Sequence, residues 1–241
     1  MEKIIIAGFG GQGVLSLGQF IAYAALYENK AVTWLPSYGP EMRGGTANCS
    51  VVVDDTEVAS PIIAVPDTLI AMNKPSLDKF KNKVRPGGLI IVNSSLISDK
   101  VERTDVTTIY VPANELAHEA GNDKTANIVV LGAYMKYSNL FPREVMLSTI
   151  EKVFHAKPKV IPVNQKAFDI GYGLENSRPA SVGLFHCKKT IYLQKSKFIV
   201  QNKGVKYEKQ SNAYRLSDKE NCRRHLYDKR LRHRELLSFN R

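Results

Sequence analysis

The first thirty residues restrict this chain more than any other segment. Lys3 to Ala7 is a short, β-branched apolar run that breaks into Gly8-Phe9-Gly10-Gly11-Gln12-Gly13. A helical pattern follows at once, with Val14, Leu17, Ile21, Ala24, Ala25 and Leu26 recurring at spacings of three and four. Asn29-Lys30 closes that helix. Strand, glycine turn and helix, in that order, begin a doubly wound sheet.

The alternation continues downstream. Ala31 to Leu35 reads as a second strand, Pro36 to Gly45 as a loop rich in glycine and proline, and Thr46 to Val53 as a third strand. Thr68 to Met72 is a short strand, and Pro75 to Asn82 a polar helix with Pro75 suited to its first turn. Pro86-Gly87-Gly88 turns into Leu89–Val92, which is apolar on both faces, as buried parallel strands are. Val106 to Val111 is a further strand. Helices are expected over Asn114–Ala120, Thr125–Tyr137, Arg143–Phe154 and Asn164–Gly171, the last ending in Gly-Tyr-Gly. The expected fold is α/β: a doubly wound, mostly parallel sheet over residues 1–173, followed by a basic extension over 174–241.

Charge separates these two parts. The formal net charge is +11, yet residues 1–174 hold 17 basic and 17 acidic side chains. The remaining residues hold 17 basic against 6 acidic, so the whole excess sits in the tail. Three readings of the tail stay open: a solvated, poorly ordered extension, a docking arm for an acidic partner, or a nucleic-acid contact through Arg223-Arg224, Lys229-Arg230, Arg232 and Arg234. The neutral body speaks against the last. The apolar runs are all shorter than a membrane span, and the opening lacks a signal-peptide pattern, so a cytoplasmic protein is expected. Cys49, Cys187 and Cys222 are far apart and form no C-x-x-C pair, which points to unpaired thiols rather than a zinc or iron–sulfur site.

Gly8-x-Gly10-x-x-Gly13 fits a dinucleotide fingerprint, with glycines that let backbone N–H groups approach a phosphate at a helix N-terminus. The NAD reading also needs an acid at the end of the second strand. That strand ends Trp34-Leu35-Pro36-Ser37, and Glu41 is the first acid, inside the loop. Two other readings remain: a tight turn that lets the helix pack on the sheet, or contact with some other phosphate-bearing ligand.

The second loop, Ser37-Tyr38-Gly39-Pro40-Glu41-Met42-Arg43-Gly44-Gly45, sets a Tyr, a Glu and an Arg among small or rigid residues at a strand's carboxyl edge, where ligands bind in such sheets. Arg43 suits a carboxylate or phosphate, because its fork donates two parallel hydrogen bonds. An ion pair of Arg43 with Glu41 bracing the loop is the alternative. His118 reads as a partly exposed helix residue, His155 as a complement to a helix end, and Asp54-Asp55 as a turn between strands.

The two loops together closely resemble the gamma subunits of 2-oxoacid:ferredoxin oxidoreductases, particularly the 2-oxoglutarate and 2-oxoisovalerate enzymes. Ala126-Asn127 leading into Leu131-Gly132-Ala133 resembles a third signature of that family. The resemblance covers residues 1–173. It implies a subunit of a complex that decarboxylates a 2-oxoacid on thiamine diphosphate with magnesium, passes the acyl unit to coenzyme A, and delivers two electrons through iron–sulfur clusters to ferredoxin. Those cofactors would lie in alpha, beta and possibly delta subunits, with no cofactor held by this chain alone and no catalytic or metal-binding residue on it. The cofactor-facing surface expected here is Gly8, Gly10, Gly11, Gly13, Tyr38, Glu41, Arg43, Gly44 and Gly45. No membrane partner is expected.

Overall fold

The computed structural model describes residues 1–38 and 45–175. Six strands, β1 (Glu2–Phe9), β2 (Ala31–Tyr38), β3 (Thr46–Asp54), β4 (Thr68–Ala71), β5 (Leu89–Asn93) and β6 (Thr107–Val111), form one sheet in the order β2-β3-β1-β4-β5-β6. Strands β1, β4, β5 and β6 are parallel, while β3 runs antiparallel to both β1 and β2. The expected mostly parallel α/β sheet is therefore present, with one departure in its wiring. β2 and β3 form a hairpin, and β3 rather than β2 lies beside β1.

β2 also runs three residues past its expected end, through Pro36 and Ser37 to Tyr38. A proline is tolerated there because β2 is an edge strand with one side unpaired.

Alternate side chains of the strands feed two cores. Ile4, Ile6, Cys49, Val51, Val53, Ile70 and Ile91 point to one face, under α1 (Val14–Tyr27), α3 (Ala113–Ala120), α4 (Ala126–Ser138), α5 (Arg143–Val153) and α6 (Ile161–Gly173). Ile5, Ala7, Leu69, Ala71, Ile90 and Val92 point to the other, under α2 (Lys74–Phe80) and the chain around Ile97 and Val106. Helices cover both faces, unequally. The strands that are apolar on both sides are the ones sandwiched between the two cores.

Helix α4 is buried from Asn127 to Met135 on every side, as a helix apolar all round must be. It crosses α6 at two glycines. A Cβ on Gly132 would sit 2.1 Å from the Phe168 carbonyl oxygen, and one on Gly171 would sit 1.9 Å from that of Val129. The helix α6 accordingly continues through Gly171-Tyr172-Gly173, two residues past the stop expected from those glycines. Gly171 marks a close helix crossing. The end of α6 is held by Lys136 Nζ, which donates to the Leu174 carbonyl at 2.9 Å. Asp54 closes the β3 turn as expected, accepting from the Thr56 N–H at 3.2 Å. Among the described residues no helix is long and apolar enough to cross a membrane.

Candidate functional site

The site is assembled at the carboxyl edge of β1 and β4. Chain from β1 leaves the sheet toward β2 on one side, and chain from β4 leaves toward β5 on the other, so a crevice opens between them where such sheets bind ligands. The glycine turn that follows β1 is folded by its own glutamine. The Phe9 N–H donates to Gln12 Oε1 at 2.7 Å, and Gln12 Nε2 donates to the Met72 carbonyl at 3.3 Å, tying the turn to the end of β4. Gly8 leaves the space that this side chain fills: a Cβ there would meet Gln12 Oε1 at 2.6 Å and Met72 Cβ at 2.9 Å.

Each remaining glycine of the first motif has its own place. The Gly10 N–H donates to the Gly45 carbonyl at 3.1 Å, so the two glycine loops, far apart in sequence, are joined by a backbone hydrogen bond. Gly11 has φ +98°, a left-handed conformation that side chains disfavour, and a Cβ on it would meet nothing within 4 Å. Gly13, at φ +72°, caps α1 without a side-chain hydrogen bond. The first-turn N–H groups of α1 have no partner within the helix. Asn127, at the start of α4, donates from Nδ2 to the Gly13 carbonyl at 3.3 Å, and occupies the space a Gly13 Cβ would need, at 2.5 Å.

Three sequence motifs thus meet at one edge. Tyr38 is the last residue of β2, in register with Ala47. Glu41, Arg43 and Gly44 lie outside the described residues, as do Cys187, Cys222 and the basic extension from residue 176 onward. Two contributors were not among the expected site residues, Gln12 and Asn127. Their signals were present: a polar side chain inside a glycine turn, and an asparagine directly before the apolar run Ile128 to Leu131.

What this edge offers is mostly backbone. It consists of an open glycine turn, the uncapped positive end of a 14-residue helix and a second glycine loop hydrogen-bonded to the first. That donor set suits an anionic group such as a diphosphate. Cys49 lies behind it, fully buried with Sγ 3.6 Å from the Val14 carbonyl, and burial pushes its thiol up to about 12. It is held as the neutral thiol and supplies no nucleophile. Among the described residues no three His, Cys, Asp or Glu side chains group where a metal ion could be held.

The histidines belong to the surface. His118 Nδ1 lies 3.0 Å from Asp123 Oδ1, both well exposed, beside a hollow of about 420 Å³ lined by Gly121, Asn122 and Lys124 and by no residue of the glycine loops. His155 Nδ1 lies 3.1 Å from the Lys152 carbonyl, just past α5.

A family model described as pyruvate ferredoxin/flavodoxin oxidoreductase matches residues 3–174. The ketoisovalerate oxidoreductase subunit VorA of Methanothermobacter marburgensis is 41% identical over 170 residues, which are 70% of this chain and 35% of that protein. This chain thus spans about a third of that relative. The 2-oxoglutarate synthase subunit KorC of Methanocaldococcus jannaschii is 37% identical over 152 residues, 62% of this chain and 81% of the relative. Among solved structures, the gamma subunit of a keto/oxoacid ferredoxin oxidoreductase from Geobacter sulfurreducens aligns with a TM-score of 0.61 and 29% identity, over 71% of this chain and 96% of that one. A 2-oxoglutarate:ferredoxin oxidoreductase from Magnetococcus marinus, solved with 2-oxoglutarate, coenzyme A and succinyl-CoA bound, aligns with a TM-score of 0.66 and 25% identity, over 74% of this chain and 32% of that one.

Proposed function

The chain belongs to the pyruvate ferredoxin/flavodoxin oxidoreductase family, with a domain of the gamma-subunit type, and from that premise we propose that it serves as the gamma subunit of a 2-oxoacid:ferredoxin oxidoreductase. In the complete enzyme a 2-oxoacid and coenzyme A give the acyl-CoA and carbon dioxide, and two electrons pass to ferredoxin. Thiamine diphosphate, held by other subunits with magnesium, supplies the decarboxylation chemistry, and iron–sulfur clusters outside this chain carry the electrons.

The role of this chain is to form a wall of the active site or of the coenzyme A channel. The observation that carries this is the convergence of the two glycine loops and Asn127 on one carboxyl edge. A surface made of glycine backbone and an uncapped helix end binds and orients an anionic cofactor without offering a group that transfers protons. Gly11 and the first turn of α1 would face the diphosphate of coenzyme A, and Arg43 would add a charge-assisted contact from the second loop. We propose 2-oxoglutarate as the substrate. The 41% identity to a ketoisovalerate enzyme favours a second reading, a branched 2-oxoacid.

Co-expression with the thiamine-binding subunits tests the assignment. The purified complex should reduce ferredoxin with a 2-oxoacid and coenzyme A, and the chain alone should not. Turnover by the isolated chain, or full activity of a complex lacking it, would overturn the proposal. Rates with 2-oxoglutarate against 2-oxoisovalerate separate the two substrate readings.

A further inference from the structure

Two carboxamides hold the glycine turn after β1. Gln12 closes it from within. The Phe9 N–H donates to Gln12 Oε1 at 2.7 Å, and the Phe9 carbonyl accepts from the Gln12 N–H at 3.2 Å, so one residue binds both backbone groups of another. Gln12 Nε2 then fastens the turn to the Met72 carbonyl at 3.3 Å, at the end of β4. Asn127 fastens the far end of the turn from the start of α4, its Nδ2 donating to the Gly13 carbonyl at 3.3 Å. A carbonyl oxygen can only accept, so Nε2 and Nδ2 are the atoms that must face Met72 and Gly13.

Asn127 does something other than cap. An asparagine at a helix start ordinarily accepts from an N–H of the first turn. Asn73 does so for α2, accepting from the Ser76 N–H at 2.9 Å, and Asn122 accepts likewise from the Lys124 N–H at 3.0 Å. Asn127 instead binds the carbonyl of the residue that begins α1, and leaves the first-turn N–H groups uncapped by any side chain. The same carbonyl also accepts from the Leu17 N–H at 2.9 Å. Two donors on one carbonyl draw charge to its oxygen and make the N–H of that peptide unit, which is Val14's, a stronger donor.

Between the two clamps Gly11 is left open. It makes no hydrogen bond to a described residue, and a Cβ on it would meet nothing within 4 Å. Glycine loses more freedom on ordering than any other residue, so a glycine turn fixed in advance binds more tightly than one that must be ordered by its ligand. Asn127 suits that task, being 7% exposed and filling the space beside Gly13. Both clamps are neutral, so neither offsets the positive end of α1 nor repels an anion.

We propose that Gln12 and Asn127 are positioning residues for coenzyme A: they fix the turn so that Gly11 and the first turn of α1 meet its diphosphate, without touching it themselves. This rests on the function proposed above.

The assembled complex is titrated calorimetrically with coenzyme A in the absence of 2-oxoacid, and steady-state constants are measured beside it. Asn127→Ala and Gln12→Ala remove the clamps. Asn127→Asp and Gln12→Glu keep the size, lose the donor and add a negative charge. Asn164→Ala is the control, since Asn164 is 6% exposed and donates from Nδ2 to the Val160 carbonyl at 2.7 Å, outside the turn. The Kd and KM for coenzyme A should rise about three- to tenfold in the alanine variants, as one hydrogen bond is lost. They should rise more than about tenfold in the acidic variants, where a charge also opposes the anion. The KM for the 2-oxoacid and kcat should move far less. Asn164→Ala should melt lower than wild type and keep the wild-type Kd.

An assembled Asn127→Ala or Asn127→Asp complex with the wild-type Kd for coenzyme A would overturn the positioning role and leave the gamma-subunit function standing. Where an alanine variant does not assemble, the near-isosteric acid decides. Equal losses for coenzyme A and the 2-oxoacid, or an Asn164→Ala complex that binds as weakly as the clamp variants, would also overturn it, since either marks general loosening. A wild-type complex that neither binds coenzyme A nor reduces ferredoxin would remove the proposed function, and this role with it.

Discussion

Gly171→Ala adds one methyl group where the structure has no room for it. The new Cβ would stand 1.9 Å from the Val129 carbonyl oxygen and 2.8 Å from its carbon, both backbone atoms that cannot rotate away. Carbon and oxygen in contact need well over 3 Å, so α4 and α6 must separate by more than an ångström at their crossing. Overpacking of this kind costs about 1–3 kcal/mol, and the close approach of Gly132 to Phe168 places this site at the upper end. Replacing a helical glycine returns up to about 1 kcal/mol through propensity. A net loss of about 2 kcal/mol is expected. In a domain of this size, at roughly 2–4 °C for each kcal/mol, the melting temperature should fall by roughly 4–8 °C. Gly173→Ala is the internal control: a Cβ there meets nothing within 4 Å, so it should melt at or slightly above wild type. Calorimetry on the full chain reads both. A Gly171→Ala protein as stable as Gly173→Ala would refute the close-crossing argument. The Gly132→Ala, Gly171→Ala pair should lose less than the sum of the single changes, because the first separation makes room for the second methyl group.

Further outcomes follow from the edge and from its opposite end. Gly13→Ala combines left-handed strain with a clash against Asn127, and should lower stability by about 1–2 kcal/mol in urea unfolding; adding Asn127→Ala should recover only the clash. Arg43→Ala in the assembled complex should raise KM for coenzyme A or the 2-oxoacid about ten- to a hundredfold, the equivalent of a charge-assisted hydrogen bond of about 1.5–3 kcal/mol; unchanged kinetics would make Arg43 a bracing residue. Calorimetric titration with NAD or NADP should show no binding at about millimolar nucleotide, since antiparallel β3 occupies the place beside β1 where the ribose-binding strand of a dinucleotide fold belongs. Burial holds the Glu2 carboxyl above its ordinary range, against a hydrogen bond from Thr68 that lowers it. The raised group favours the fold most when protonated, and that contribution is lost as pH rises through its folded value. Glu2→Gln should therefore melt above wild type at neutral pH, with the advantage shrinking toward pH of about 4; an advantage that grows in acid would reverse the sign of the argument.

Most of the fold could be read from periodicity, because the strands are buried on both faces and the helices carry apolar stripes. Leu89 to Val92 could only be an interior strand, and β5 is one. The misses share a cause: they depend on neighbours distant in sequence. Pro36 looked like the start of a loop, since a proline cannot donate to a ladder, but an edge strand accepts it. Gly171 looked like a stop because glycine is a poor helix former, and the helix runs through it because Val129 lies directly against it. Leu26 fits an apolar spacing, yet the spacing does not say which side of α1 meets the sheet. In the site, the glycines were visible as a motif, but not that the Gly10 N–H would be used to join the second loop. The part played by Asn127 needed the fold, since it acts 114 residues away from Gly13.

The meeting of the two loops is a consequence of core packing more than of the loops themselves. In β3, Cys49, Val51 and Val53 all face the core under α1, while Asn48 and Ser50 alternate with them. A slip of one residue against β1 would turn every one of these side chains to the opposite face, so burial holds the register. With Ile6 opposite Cys49 and Ile4 opposite Val51, Phe9 must lie opposite Thr46, and the next residue of each strand is Gly10 and Gly45. Their hydrogen bond is the continuation of that ladder beyond the last paired residues. Because β3 runs antiparallel beside β1, the hairpin opens at the same carboxyl edge as the first glycine turn. The apolar alternation of β3, which carries no functional residue, thereby determines where the second loop begins.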